Sequence, residues 1–273
     1  MVSLRSLRLG GKLSRPIAAR GRELIAGWLK GLGQAVDALV FPWSCSLCCA
    51  EGSSGPFCPS CRRELLERSV LTAKSACPRC AMQVGPFADL KKGCSECRGR
   101  SLGFDAALAF GPYDEEIKDL CLQLKHEQNA WLAPWLGDLL VEGRREAIRH
   151  VAADAWVVPV PLHWWRHWRR GYNQAEVLAR DLAKRLGLPV YRPLRRIKAT
   201  PRLASMGITE RGQVLHKAFQ ARSNLQLKGR TVLLVDDILT TGATCAEAAR
   251  ELKRAGAARV IAVVIARAER RTS

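Results

Sequence analysis

Between residues 104 and 266 the apolar positions switch repeatedly from short continuous runs to stripes spaced three or four apart. This predicts strands alternating with helices. Runs at 104–110, 156–160, 232–235 and 259–266 predict strands, with Gly111-Pro112 closing the first and Pro159 and Pro161 the second. The run 232–235 is apolar on both sides and β-branched, as a buried parallel strand must be. Ile117, Leu120, Cys121 and Leu124 mark one helical face, and a helix with an uneven apolar pattern is predicted from about 131 to 150. Asn173 reads as the N-cap of a helix striped by Leu178, Leu182 and Leu186; Cys245, Ala248, Ala249 and Leu252 stripe another. Val190 and Tyr191 predict a short strand, and the basic, turn-rich segment 195–211 a mobile loop. The alternation implies an α/β fold, a doubly wound, mostly parallel sheet that binds ligands at the carboxyl ends of its strands.

Composition narrows the class without changing that picture. The 273 residues, 48% of them hydrophobic, suffice for one ordinary domain and a small appendage. A formal charge of +19 points to polyanionic partners, nucleic acid or phosphorylated small molecules. No apolar run reaches the length of a membrane span, and the leader up to Lys30 has basic residues without an apolar core. We therefore expect a cytoplasmic protein whose residues 1–40 form a basic arm, with a metal ribbon over 41–100 and the α/β domain over 101–273.

The ribbon is expected from the cysteines. Eight of the eleven form four Cys-x-x-Cys pairs: Cys45/Cys48, Cys58/Cys61, Cys77/Cys80 and Cys94/Cys97. A two-residue gap lets both thiolates of a tight turn reach one tetrahedral ion, and two such turns complete a four-sulfur zinc site. Regular pairing in a chain without a secretory signal favours metal over disulfides. In sequence order the first four cysteines would hold one zinc and the last four another, although crossed pairing satisfies the same spacing. Four sulfur ligands leave no open position for water, so both ions would be structural. Cys49 is a spare beside the first turn; Cys121 and Cys245 read as core residues.

The chemistry is expected in the segment that follows the 232–235 run. Asp236 and Asp237 precede Thr240, Thr241, Gly242, Ala243 and Thr244, a small, hydroxyl-rich turn leading into a helix. Backbone N–H groups at a helix start lack internal partners and sit at the positive end of the helix dipole, so this turn suits a phosphate dianion. Carboxylates repel phosphate. The aspartates therefore suit vicinal hydroxyls or a divalent metal.

Paired acids followed by Thr-Thr-Gly-x-Thr resemble the 5-phosphoribosyl-1-diphosphate (PRPP) motif of type I phosphoribosyltransferases, in which the acids hold the ribose hydroxyls and the turn holds the 5′-phosphate. Pro159-Val-Pro-Leu162 and Arg170-Gly-Tyr-Asn-Gln174 are in turn similar to the signature of the ComF family, competence-type proteins with a zinc ribbon before a phosphoribosyltransferase fold. The resemblance spans Cys45 to Ala266. It implies Mg²⁺ bound with PRPP and Asp236 and Asp237 gripping the ribose; in an enzyme these two would be the catalytic residues, stabilising an oxocarbenium-like sugar, and by their charge Arg170 and Lys125 are further candidates to hold the anion. There is one departure: Leu203 and Val214 stand where the family carries a Gln and an Asn. Losing a polar contact costs about 1–3 kcal/mol, so an altered ligand or weaker activity is implied.

Trp164, Trp165, Arg166, Trp168, Arg169 and Arg170 form a basic, aromatic cluster. This is the composition of a platform for single-stranded DNA, though tryptophans also seal core edges and arginines also hold diphosphate. The expected function is a ComF-like, PRPP-binding protein acting in DNA uptake or processing, together with proteins of the uptake machinery. A nucleobase salvage transferase and a non-catalytic, PRPP-responsive adaptor are the competing readings.

Overall fold

In a computed structural model, residues 44–152, 154–198, 214–222 and 227–269 are described. The expected basic arm, Leu203 and most of the 195–211 segment lie outside them. The described residues divide into two compact units, with the boundary between Cys58 and Pro59.

In the first unit, residues 45–50 close a tight turn. The N–H of Cys49 donates to Cys45 O, that of Cys45 to Ala50 O, and that of Ser46 to Pro56 O. Cys49 takes a left-handed φ of 59° to complete it.

The second unit is built on a parallel sheet. Its elements are α1 (Pro59–Lys74), β1 (Ala106–Pro112), α2 (Glu115–Gln123), a 3-10 turn (Glu127–Leu132), α3 (Ala133–Gly143), α4 (Arg145–Ala152), β2 (Trp156–Pro159), α5 (Trp164–Arg170), α6 (Gln174–Leu186), β3 (Leu194–Arg196), β4 (Phe219–Ala221), β5 (Thr231–Leu239), α7 (Ala243–Arg254) and β6 (Arg259–Arg267). The strand order is β1-β6-β5-β2, all parallel, and Val190 bridges to Val157 at the outer edge of β2.

β6 is central because every residue after Arg259 is buried. Each fully buried Val, Leu or Ile side chain contributes about 1.5–3 kcal/mol. Since strand residues alternate between faces, Val232, Leu234, Val260, Ala262 and Val264 point to one side. There they join Cys245, Ala248, Ala249 and Leu252 of α7, Leu194 and Phe219 of the β3–β4 hairpin, and Cys77, Cys80, Cys94 and Cys97. On the other side α3 packs on α1 and α6, with α1 and α3 against β1 and α6 against β2 and β5. The cysteine-rich segment 77–97 is thus part of the core of this unit, and Pro78 O accepts the N–H of Ala107 at the edge of β1.

Several elements differ from expectation: α1 and α5 were not predicted, and β1 continues through Gly111-Pro112, which was expected to close it, because both residues pair with Ala266 and Arg267 of β6. The strand predicted over 232–235 runs from Thr231 to Leu239, because pairing with β6 continues through Asp236↔Val264 and Leu239↔Arg267. The helix predicted over 131–150 breaks at Arg144. This guanidinium is buried and donates to Ala109 O (2.6 Å), Phe110 O (2.9 Å) and Ser69 Oγ (2.9 Å), tying α1 to β1. Burial without a carboxylate lowers its pKa to about 10. Finally, the start of the predicted 195–211 loop is strand: Arg195 pairs with Gln220 and Arg196 with Phe219. Basic side chains hid that strand, because only Leu194 and the packed Arg196 face inward.

Candidate functional site

Asp236 and Asp237 lie near the carboxyl end of β5, on opposite faces of the strand. Asp236 faces α7, with the Cys245 thiol 3.9 Å from its Oδ2. Burial pushes the Asp236 carboxyl well above the usual range, and the neighbouring charge of Asp237 adds to the shift; the Asp237 N–H, donating at 3.0 Å, and the Arg196 cation oppose it. Asp237 faces the other way, where its charge reaches the Tyr113 and Tyr172 phenols and the Cys121 thiol. Two carboxylates are therefore crowded at one strand end, a costly arrangement unless hydroxyls or a cation meet them.

The turn after β5 begins with the exposed Thr240 and reaches Gly242, whose φ of 79° is left-handed and suits a residue without Cβ. Gly242 is the N-cap of α7 and offers no side chain to cap its first turn. Thr241 Oγ1 accepts the N–H of Ala243 at 3.3 Å. Thr244 sits in the first turn of the helix, partly buried. Helix geometry leaves the N–H groups of that turn without partners along the helix. Behind the turn is the buried Arg267, which donates to Leu239 O (2.7 Å) and to Thr240 O.

Lys125 and Arg170 border two loops, and each acts on a side chain that also feels Asp237. Lys125 follows α2 and acts on the Cys121 thiol, which also feels Asp237. Arg170 ends α5 and donates to Gln174 Oε1 at 3.4 Å. Tyr172 links the two loops by donating to His126 O at 3.2 Å. Burial pushes its phenol up to about 12, against the side chain of Gln174 and the Arg170 cation. Asn173 caps α6 as expected, its Oδ1 accepting the N–H of Ala175, while its amide donates to Val160 O at 3.0 Å. Lys125 and Arg170 thus share with Asp237 the side chains of Cys121 and Tyr172, while Asp236, Asp237 and the threonine turn stand at the carboxyl end of β5. Tyr113, Tyr172 and Arg267 were not anticipated. Tyr172 stands inside the Arg-Gly-Tyr-Asn-Gln segment and was legible there; Arg267 opens the charged run Arg267-Ala-Glu-Arg-Arg271 and reads as the start of a solvated tail.

The tryptophans do not seal a core edge. Trp164, Trp165 and Trp168 are 69%, 49% and 74% exposed on α5, with the rings of Trp165 and Trp168 stacked 5.4 Å apart. A cavity of about 520 Å³ lies between α5 and the β3–β4 hairpin, lined by Trp164, His167, Trp168, Arg195, Arg196 and Arg222 among others. It combines aromatic faces with guanidinium groups. Val214, one of the two departures from the family pattern, is partly buried just before β4.

Eight cysteines form two groups, Cys45/Cys48/Cys58/Cys61 and Cys77/Cys80/Cys94/Cys97, with the four sulfurs of each within 4.8 Å of one another. This is the uncrossed pairing. A zinc–sulfur bond of about 2.3 Å makes the edge of a tetrahedral site about 3.8 Å. Sulfur separations of 3.7 Å (Cys77–Cys97), 3.5 Å (Cys80–Cys94), 3.8 Å (Cys94–Cys97) and 3.7 Å (Cys48–Cys58) fit it. Burial alone would raise the Cys77 thiol, but N–H groups of Cys94, Cys80 and Arg79 bring it down to about 7, whereas burial and the neighbouring sulfurs push Cys97 up to about 11 and Cys80 higher still; a metal would have to displace those protons. Gly93 guards this site: at φ 88°, a Cβ there would meet Cys97 Sγ at 2.6 Å. Gly93→Ala is therefore expected to lower bound zinc from two ions to one per chain, as counted by atomic emission.

Residues 173–273 match the phosphoribosyl transferase domain model, which takes in α6, β5, the threonine turn and β6. Competence protein F of Haemophilus influenzae is 31% identical over 196 residues, 70% of this chain and 84% of that protein. The DNA utilization protein YhgH of Salmonella typhimurium is 32% identical over 221 residues, 80% of this chain and 92% of that one. Competence protein ComFC of Bacillus subtilis is 36% identical over 102 residues, 37% of this chain and 40% of that protein. With this extent of likeness, a phosphoribosyltransferase-type sheet and two four-cysteine groups, the chain belongs to the ComF family.

Proposed function

We propose that this protein binds PRPP at the end of β5 and acts in DNA uptake or the processing of incoming DNA. The observation that carries the reading is the pair of half-buried carboxylates beside a helix start whose N-cap supplies no side chain. Asp236 and Asp237 meet the ribose hydroxyls, while Thr240, Thr241, Gly242, Ala243 and Thr244 hold the 5′-phosphate. Lys125 and Arg170 face the diphosphate. Mg²⁺ arriving with PRPP would supply charge neutralisation at the diphosphate.

In a transfer reaction the nucleophile attacks the anomeric carbon as diphosphate leaves, and positive charge grows on the sugar. With the ribose hydroxyls on the aspartates, their charge would stabilise that cation more than the ground state, which is the condition for catalysis. A salvage enzyme would have no need of an exposed tryptophan face. An adaptor that binds PRPP without turnover would use the same contacts and differ only in releasing no diphosphate.

The names of the relatives, competence and DNA utilization proteins, support the DNA side of the proposal. So does the cavity between α5 and the hairpin, where bases can stack on Trp164 and Trp168 and phosphates can meet Arg195 and Arg222. Among the described residues no helix is long and apolar enough to cross a membrane. In this reading the protein works in the cytoplasm with other uptake proteins, its arm over 1–40 adding charge, the ribbon over 41–100 rigidity, and residues 101–273 the site.

Stacking is worth about 1–3 kcal/mol per base. Trp164→Ala with Trp168→Ala should weaken binding of a single-stranded oligonucleotide, read by fluorescence anisotropy, by at least about tenfold, while leaving Mg-PRPP affinity unchanged. Affinity for DNA should also fall steeply with salt. Unchanged oligonucleotide binding by the double variant would remove this surface from the proposal. Diphosphate release with a single nucleobase as acceptor would favour salvage instead.

A further inference from the structure

The side chain of Arg267 joins two parts of the molecule that the proposed function leaves separate. It is 6% exposed, at the end of the central strand β6, and every hydrogen-bond partner recorded for it is a main-chain carbonyl. Nε donates to Cys80 O at 2.8 Å. One terminal nitrogen donates to Leu239 O at 2.7 Å, to Ala268 O at 2.8 Å and to Thr240 O. Cys80 belongs to the second four-cysteine group; Leu239 and Thr240 are the last residue of β5 and the first of the threonine turn. A planar, rigid guanidinium therefore ties a metal-ligand turn to the phosphate-binding turn.

Neither end of this tie is loose. The Cys80 carbonyl is set by a tight turn in which Ala81 adopts a left-handed φ of 56° and its N–H donates to Cys77 O at 2.8 Å. A tetrahedral ion on Cys77, Cys80, Cys94 and Cys97 would lock that turn, as their sulfur separations allow. At the other end the Arg267 cation is close enough to oppose the effect of burial on the Cys245 thiol, which itself contacts Asp236. A second contact runs in parallel. The Phe104 ring belongs to the same buried cluster as the four cysteines and lies against Gly242, where an added Cβ would sit 3.6 Å from it.

We propose that Arg267 is a positioning residue, which sets the phosphate-binding turn from the second metal site, so that ligand binding at the turn and metal geometry at Cys80 are coupled. The proposal rests on the PRPP reading of that turn. Coupling of this kind is reciprocal: if the metal turn sets the phosphate turn, a phosphate must alter the metal turn.

The test uses full-length protein with cadmium at both four-cysteine sites, and ribose 5-phosphate, which has the sugar and phosphate but no metal-chelating diphosphate. Cadmium NMR gives one signal per site, assigned through coupling to the cysteine β-protons. In the wild type, saturating ribose 5-phosphate should move the signal of the Cys77/Cys80/Cys94/Cys97 site. Arg267→Lys can reach fewer of the four carbonyls. It should retain both metals, bind ribose 5-phosphate about tenfold more weakly by calorimetry, and show no movement of that signal at saturation. A signal that moves equally in both proteins overturns the proposal, whatever the affinities. So does a wild-type signal that stays still with ligand bound, a result that decides the matter even if the lysine variant does not fold. Failure of the wild type to bind ribose 5-phosphate at all would overturn the PRPP reading, and this coupling with it.

Discussion

Replacing Asp236 and Asp237 together by Asn should abolish Mg-PRPP binding, while Asp236→Asn alone should make the ligand-free protein more stable. Hydrogen bonds to charged groups are worth about 1.5–3 kcal/mol each. Losing both aspartates therefore weakens binding by about 100-fold or more, as calorimetry will read. The stability effect has the opposite sign. Burial and the neighbouring Asp237 raise the Asp236 pKa in the folded protein above its unfolded value of about 3.9. A raised folded-state pKa contributes stability that is fully present below the unfolded pKa and is lost as pH rises through the folded pKa. As pH rises above the unfolded value the wild type progressively loses that contribution, whereas the amide never ionises. Asp236→Asn should then be more stable by about 1 kcal/mol, a common gain when a strained site residue is neutralised. For a domain of this size that is a rise of about 2–4 °C in melting temperature. The gap between variant and wild type should widen from pH 4 to pH 8. A gap that stays constant would mean that Asp236 is not strained in the free protein. Unchanged PRPP affinity in the double variant would remove the aspartates from the site.

Cys94→Ser should destabilise the whole second unit, not the ribbon alone. The Cys94 sulfur lies 3.5 Å from that of Cys80 and 3.8 Å from that of Cys97, so its loss opens the second metal site. Structural zinc contributes about 10–16 kcal/mol in small zinc-dependent peptides. Here the four cysteines share a buried cluster with Leu234, Ala262 and Val264 of the sheet and Cys245 and Leu252 of α7. Several kcal/mol of that binding energy should therefore support the sheet. Hydrogen exchange is the direct measurement: β1 and α7 should lose protection together with residues 77–97. Should the ribbon exchange quickly while β6 and α7 remain protected, the metal site would be an independent module.

Spacing and pattern were enough to read the α/β class, the four cysteine pairs, the acid pair and the turn after it, because each is a local repeat whose chemistry depends on neighbours in the chain. Two Cys-x-x-Cys turns make a metal site wherever they meet, and an Asn before a helical stripe caps it by its own reach. Other features depended on partners far along the chain. Asp236 and Asp237 became part of β5 because β6 extended the pairing beneath them. Arg144 broke a helix because the carbonyls of Ala109 and Phe110 lay within its reach. Leu194–Arg196 became a strand because Phe219–Ala221 offered it an edge. Arg267 is the extreme case: in sequence it stands between an apolar strand and a charged tail, and its meaning lies in Cys80, 187 positions away. Local chemistry names the groups that can act. Burial and long-range hydrogen bonding, properties of the packed chain alone, decide which of them meet and in what charge state.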